Sequence, residues 1–257
     1  MAIIIKTQDE IALMREAGRV NAQALEAVRR AVRPGVTTGE LDAIAEDWIR
    51  SHNAVPIFLG YPNPSYDNLP YPATINASIN DELVHGIPNR RRVLREGDVL
   101  SIDCGCSLKG FVGDAAFTMG IGQISPEAAR LIRATEEALS RAILTCRAGN
   151  RMGDVSATIQ EFASSQGYEV VREYTGHGVG RHMHEDPQIP NWGKRRTGVL
   201  LRAGMTFAIE PMLIAGAYPV YVKRDGWTVA TKDHSLCAHF EHTIAVTDGE
   251  PEVLTLP

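Results

Sequence analysis

Glu96-Gly-Asp-Val-Leu-Ser-Ile-Asp103 is echoed 107 residues later by Ala203-Gly-Met-Thr-Phe-Ala-Ile-Glu210. Each segment is a glycine turn followed by an apolar, strand-like run that ends on a carboxylate. A second pair, Arg33-Pro-Gly-Val-Thr-Thr-Gly-Glu-Leu41 and Arg147-Ala-Gly-Asn-Arg-Met-Gly-Asp-Val155, recurs in the same order at an offset of 114. Two matches in one order read as a duplicated helix-plus-strand unit. No linker-like stretch separates the halves, so residues 1–257 are expected to form one domain with internal pseudo-symmetry.

Working outward, Thr7-Gln-Asp-Glu10 is a capping box, and Ile11, Met14, Ala17, Val20, Ala24 and Val28 follow at helical spacing. Pro34-Gly35 ends that helix, and Thr37-Thr-Gly-Glu40 opens another with Leu41, Ile44, Ala45, Trp48 and Ile49. Ser125-Pro-Glu127 places an N-cap before a proline at the first helical position, starting a helix that runs to about Cys146. A further helix is expected from Asp154 to about Gln166. Strands are expected around 97–104, 111–119, 204–213, 218–223 and 238–247. Residues 59–72, rich in proline and tyrosine, read as a surface loop of a kind that suits a binding rim.

Hydrophobic residues make up 44% of the chain and charged residues 22%, a balance typical of globular proteins. The net charge of −5 excludes a global basic field for wrapping nucleic acid. No run approaches the ~18–20 apolar residues of a membrane span, and Met1–Lys6 has the wrong flanks for a secretory signal. Cys104, Cys106, Cys146 and Cys237 form no C-x-x-C pair and read as reduced thiols. The expected address is the cytoplasm.

Asp103 and Asp114 flank the turn-prone Ser107-Leu-Lys-Gly110. A hairpin centred between Leu108 and Lys109 would set the two aspartates directly opposite each other on one face of a sheet. Like charges there repel, and a divalent cation bound by hard oxygen ligands offsets the cost. In an isolated pair at this spacing, one aspartate more often points to solvent or caps a turn. Other segments strengthen the cation reading. In Tyr174-Thr-Gly-His-Gly-Val-Gly-Arg-His-Met-His-Glu-Asp-Pro187, three glycines around His177 let the backbone pass close to a site, although a glycine-rich loop with histidines is often only a turn. Glu210 and Glu241 each sit among apolar strand residues, and buried carboxylates must be paired, protonated or metal-bound. Four carboxylates and one imidazole make an oxygen-rich shell suited to Mn, Fe, Co or Zn.

The whole chain resembles the type I methionine aminopeptidases in their short bacterial form. The resemblance is carried by His85-Gly-Ile-Pro88, Asp98-Val-Leu-Ser-Ile-Asp103, Gly113-Asp114, Thr175-Gly-His-Gly-Val-Gly180, His184-Glu-Asp-Pro187, Phe207-Ala-Ile-Glu-Pro211, Asp225-Gly-Trp-Thr228 and Phe240-Glu-His-Thr243. It implies an α+β pita-bread fold, a pseudo-two-fold antiparallel sheet flanked by helices, forming a catalytic metallopeptidase domain. It also implies removal of the initiator methionine from nascent polypeptides with a small second residue, by dinuclear-metal-assisted hydrolysis. Proline-specific peptidases share the fold, as do non-catalytic peptide or ribosome binders that have lost ligands.

Carried over residue by residue, the resemblance implies that Asp103, Asp114, His177, Glu210 and Glu241 hold two divalent ions (Co, Mn, Fe or Zn). Glu210 is the implied proton shuttle, His184 the donor to the developing oxyanion, and His85 a neighbour of the scissile amide. Phe58, Tyr61, Tyr71, Met183 and Trp227 are the implied substrate pocket, together with His85 and His184. Backbone carbonyls of Asn80, Glu82 and Cys237 are the implied cradle of one monovalent cation. The implied partners are nascent N-termini and the ribosome surface, with no membrane and with the chain as a monomer. The 60–76 loop is longer than in shorter relatives. Asn76 stands where relatives often have cysteine, Met183 where phenylalanine is common, and His182 is an added histidine.

Overall fold

The structure, a computed structural model, describes residues 2–257, so the Met1 end of the N-terminal segment lies outside it. Four helices form where the caps and apolar spacing require them: α1 (Gln8–Ala31), α2 (Thr38–Ser51), α3 (Pro126–Thr145) and α4 (Met152–Ser165). Both expected capping boxes form, with Glu10 Oε2 accepting the Thr7 N–H at 3.0 Å and Glu40 Oε2 accepting the Thr37 N–H at 2.8 Å. Helix α4 starts earlier than the sequence reading placed it. Asp154 is not its first residue but the carboxylate that accepts the Arg151 N–H at 2.8 Å. None of these helices is long and apolar enough to cross a membrane.

The strands that build the site are β1 (Ile75–Ile79), β2 (Glu82–Val84), β3 (Val99–Leu108), β4 (Phe111–Gly120), β5 (Thr175–Gly178), β6 (Glu185–Pro190), β7 (Thr206–Ile209), β8 (Met212–Ile214), β9 (Val220–Val222), β10 (Val229–Thr231), β11 (Cys237–His239) and β12 (Glu241–Ala245). The main sheet is antiparallel, in the order β3-β4-β12-β7-β5-β6, with β1 on the free edge of β3. Helices α1 and α2 pack together against the β3–β4 half, and α3 and α4 pack together beneath the β7–β12 half. Buried Leu, Ile, Val and Ala side chains fill the space between helices and sheet.

The sequence repeat is a structural one. Gly35 donates to Leu94 O at 2.9 Å, and Gly149 donates to Leu201 O at 3.0 Å. Leu94 donates to Val36 O and Leu201 to Asn150 O, each at 2.8 Å. The isolated bridges Thr37–Val93 and Arg151–Leu200 follow the same two offsets. Asp103 and Glu210 thus end equivalent runs in the two halves.

Two expectations are corrected. The β3–β4 hairpin pairs Leu108 with Phe111, so its centre is Lys109-Gly110 rather than Leu108-Lys109. The cause is the two-residue turn, which needs positive φ at both central positions; Lys109 has φ 52° and Gly110 φ 79°. Asp103 therefore faces Ala116, and Asp114 faces Gly105. The aspartates remain on one face as diagonal neighbours, not as a directly opposed pair. The second correction concerns the glycine-rich segment around His177, which is the strand β5 inside the main sheet and not a loop. Its glycines serve close strand packing, since a Cβ on Gly176 would come within 2.5 Å of Ala208 O.

Helix α1 touches the sheet backbone to backbone. A Cβ on Gly113 would stand 2.6 Å from the Cα of Gly18, one residue away from Asp114. Gly113→Ala is therefore expected to cost about 1–3 kcal/mol or more of stability through overpacking. Urea unfolding reads this directly, and a midpoint equal to wild type would contradict the close approach.

Candidate metal centre and substrate pocket

Each carboxylate reaches the site by a different local device. Asp103 and Asp114 project from the paired long strands β3 and β4. Glu210 and Glu241 sit where two neighbouring strands break together. Strand β7 ends at Ile209, and Pro211, which has no N–H to donate, interrupts the ladder before β8. On the partner chain segment, Phe240 separates β11 from β12. Met212 pairs with His239 on one side of the break, and Ile209 pairs with His242 on the other. Phe240 N–H donates to Pro211 O at 3.3 Å across it. Glu210 was read as a residue within a strand, but it stands just beyond the strand's end.

His177 comes from β5. Its Nδ1 lies 3.0 Å from Gly178 O, an atom that can only accept, so Nδ1 carries the proton and Nε2 presents its lone pair. That Nε2 lies 3.6 Å from Asp114 Oδ2 and 3.7 Å from Glu210 Oε1. These separations are too long for hydrogen bonds, and the imidazole is neutral because burial and neighbouring His184 push its pKa down to about 3. One ligand atom from each of Asp114, His177 and Glu241 lies within 4.8 Å of the others.

The carboxylates are crowded and dry. Burial lifts Asp103 to about 7 despite the hydrogen bond from Asn76. Burial, and then mutual repulsion, push Asp114, Glu210 and Glu241 well above the usual carboxylate range. Asp103 Oδ1, Asp114 Oδ1 and Glu241 Oε1 are buried without a hydrogen-bond partner. Orphaned oxygens of this kind are costly in a low-dielectric interior. Divalent cations among them would satisfy every one and cancel the repulsion, so the donor set fits hard or borderline ions.

All twelve side chains singled out from the sequence line one cavity of about 180 Å³. The acidic residues and His177 form its floor. Phe58, Tyr71 and Trp227 form a buried apolar cluster at one side, with Tyr61 and Met183 packed against it. The Tyr71 and Trp227 rings meet edge to face, with centroids 5.1 Å apart. His85 sits over Trp227 at 6.0 Å and adopts a left-handed φ of 59°, a strained setting of the kind found at functional sites. Burial and His184 lower the His85 pKa to about 4. The Tyr61 hydroxyl is 2.6 Å from His184 Nδ1, so Tyr61 reaches the histidine as well as the apolar wall.

The longer loop forms a small ladder, Pro62–Asn63 with Leu69–Pro70, and Asn63 Nδ2 donates to Gly226 O at 2.9 Å beside Trp227. His182 lines a neighbouring groove with Met183 and His184, not the main cavity. The proposed monovalent-cation carbonyls are partly committed: Asn80 O accepts the Cys237 N–H at 3.1 Å and its thiol at 3.3 Å.

Sequence reading marks Asn76 only as a pocket position where relatives often carry cysteine, and it misses His239. Asn76 lies opposite Asp103 in the β1–β3 ladder and donates from Nδ2 to Asp103 Oδ2 at 2.6 Å. His239 lines the cavity with its Nε2 buried and unpartnered. Period-two alternation through Cys237-Ala-His-Phe-Glu241 sets His239 and Glu241 on one face, which was the available sign.

A family model described as metallopeptidase family M24 matches residues 12–248. A methionine aminopeptidase of Clostridium acetobutylicum is 49% identical over 254 residues, covering 99% of both chains. The crystal structure of the methionine aminopeptidase from Thermotoga maritima superposes with a TM-score of 0.95 at 45% identity, covering 100% of each chain. An Xaa-Pro dipeptidase from Bacillus anthracis has a TM-score of 0.75 at 25% identity, covering 98% of this chain but 62% of its own.

The raised Asp103 pKa gives a signed prediction for ion-free protein. An acid whose pKa rises on folding supports the fold below its unfolded value of about 4, and that support is lost as pH climbs toward about 7. Chelator-treated Asp103→Asn should therefore melt above wild type at pH 8 and close to it at pH 4. The lowered histidines act in the opposite direction but are common to both proteins and cancel. With divalent ions added at pH 8 the order should reverse, because the ions stabilise only the chain that keeps the ligand. A wild type more stable than the variant in chelator at pH 8 would contradict the electrostatic reading.

Proposed function

Because this chain belongs to metallopeptidase family M24 and matches its methionine aminopeptidases from end to end, we propose that Asp103, Asp114, His177, Glu210 and Glu241 hold two divalent cations beside a pocket for the methionine side chain. The chain is a methionyl aminopeptidase, a metal-dependent hydrolase that removes the initiator methionine from nascent polypeptides. The observation that carries the assignment of residues is the meeting of an acid-lined floor and an aromatic wall in a single cavity.

Four carboxylates balance two doubly charged ions drawn from Mn, Fe, Co or Zn. Bound there, such ions supply an acidified water as nucleophile and polarise the scissile carbonyl. Glu210 is the proton carrier. Its side chain is 12% exposed, against 1% for Asp114 and 3% for Glu241, so it alone of these three opens appreciably toward the cavity. Its raised pKa suits it to take a proton from the nucleophile and give it to the leaving amine.

His184 acts as a donor. With the neutral Tyr61 hydroxyl donating to His184 Nδ1, 2.6 Å away, the proton of the neutral ring sits on Nε2, free to meet the developing oxyanion. His85, neutral and wedged against Trp227, borders the scissile amide. The thioether of methionine packs against Phe58, Tyr71 and Trp227, where flexible, polarisable sulfur gains from aromatic edges. A small second residue, action in the cytoplasm and contact with the ribosome surface as a monomer belong to the same reading.

Two assays test it. Met-Ala-Ser should be cleaved by ion-loaded protein, spared in chelator and cleaved again on re-addition of ions, while an Ala-Pro peptide is left intact. Glu210→Gln should lower kcat by about 10²–10⁴-fold with little change in the far-ultraviolet spectrum. Asp114→Asn should abolish turnover. Chelator-insensitive cleavage, or full turnover by Asp114→Asn, would remove the basis for the assignment.

A further inference from the structure

His239 is 2% exposed, and its Nε2 has no hydrogen-bond partner. A buried ring nitrogen left unpartnered is unusual, because burial without a bond costs free energy. The polar atoms it faces are Glu210 Oε2 and Glu241 Oε2, each 3.8 Å away. It therefore stands midway between the two glutamates at the break in their strands.

The backbone that carries the ring is held there firmly. Thr118 clamps the His239 backbone from both sides: its Oγ1 accepts the His239 N–H at 2.9 Å, and its hydroxyl donates to His239 O at 2.6 Å. Ser101 lies 2.8 Å from Thr118 Oγ1, and its proton completes that arrangement. The ladder pair Met212–His239 ties the residue to the segment immediately after Glu210.

Chemistry selects the tautomer. Once bound cations keep both glutamates ionised, a lone pair on Nε2 pointing at them would be repelled by both, whereas an N–H is attracted by both. We propose that His239 is a positioning residue: its Nε2–H is shared between Glu210 and Glu241 once cations draw those carboxylates into place, and it fixes their orientation as ligands. The proposal rests on the reading of the five side chains as a metal centre. It adds one residue that acts on the ions only through the two glutamates, as the hydrogen-bonding partners of metal ligands do elsewhere.

The test uses full-length protein stripped with chelator and titrated calorimetrically with Mn²⁺, comparing wild type, His239→Leu and His239→Gln. Leucine fills much of the ring's volume with no donor, while glutamine returns an N–H to nearly the same place. His239→Leu should bind ions about 10–100-fold more weakly, with an ion-free melting temperature no lower than wild type. His239→Gln should regain most of the lost affinity. On Met-Ala-Ser, His239→Leu should lower kcat and leave KM nearly unchanged, because the ring touches ligands and not substrate. Wild-type affinity in His239→Leu, or a glutamine variant as weak as the leucine one, would overturn the role of His239 while leaving the metal centre standing. A wild type that takes up no ion would overturn both.

Discussion

Four carboxylates buried against one another are the constraint around which this molecule is arranged. Left to themselves they repel, and burial forces protons onto them. Hydrogen bonds alone do not relieve this, since three of their oxygens have no partner. The ion-free fold thus carries an electrostatic cost that bound cations would remove, and the rest of the chain must hold the carboxylates together against it. The long β3–β4 hairpin carries two of the four, pressed by α1 at the Gly18–Gly113 contact. Stability given up at such a centre is the usual accompaniment of a preorganised site.

The histidines answer the same constraint from the other side. Placed among acids, an imidazole would ordinarily gain a proton. Here burial prevails, and His85, His177 and His239 are held neutral, pushed down to about 4, 3 and 3. Neutral rings can offer one lone pair and one N–H each, and their neighbours decide which atom does which. Gly178 O directs the His177 lone pair inward, and the proposed role of His184 has the Tyr61 hydroxyl direct its proton outward. Nearly identical side chains are thereby set to different tasks by a single contact apiece.

Much of this was legible in the chain itself. Capping boxes and apolar spacing located α1 and α2, because helix ends are decided by contacts within a few residues. The repeat located the halves, since equivalent backbone bonds need equivalent sequence. What failed was what depends on backbone detail. The hairpin centre moved by one residue because a positive φ at Lys109 is not written in a lysine. Glycines around His177 looked like a loop, yet they are there so that β5 can lie close to β7 and β6. His239 was overlooked because its importance lies in facing two residues from separate strands, a relation that exists only after the strands break together.

The duplication also sets two equivalent carboxylates in different surroundings. Asp103 and Glu210 close the same repeated run, but their surroundings diverge. Asp103 lies in the middle of an unbroken strand, with Asn76 opposite it and bonded to its Oδ2. Its short side chain and its partner leave it little freedom, which suits a fixed ligand. Glu210 is one methylene longer and is followed by Pro211, which ends the ladder and opens the carboxylate to the cavity. The role proposed for Glu210, to bind an ion and also move a proton, needs that latitude. One repeated run thus carries a fixed carboxylate in one half and a more open one in the other, and the difference lies in one neighbouring amide and one proline.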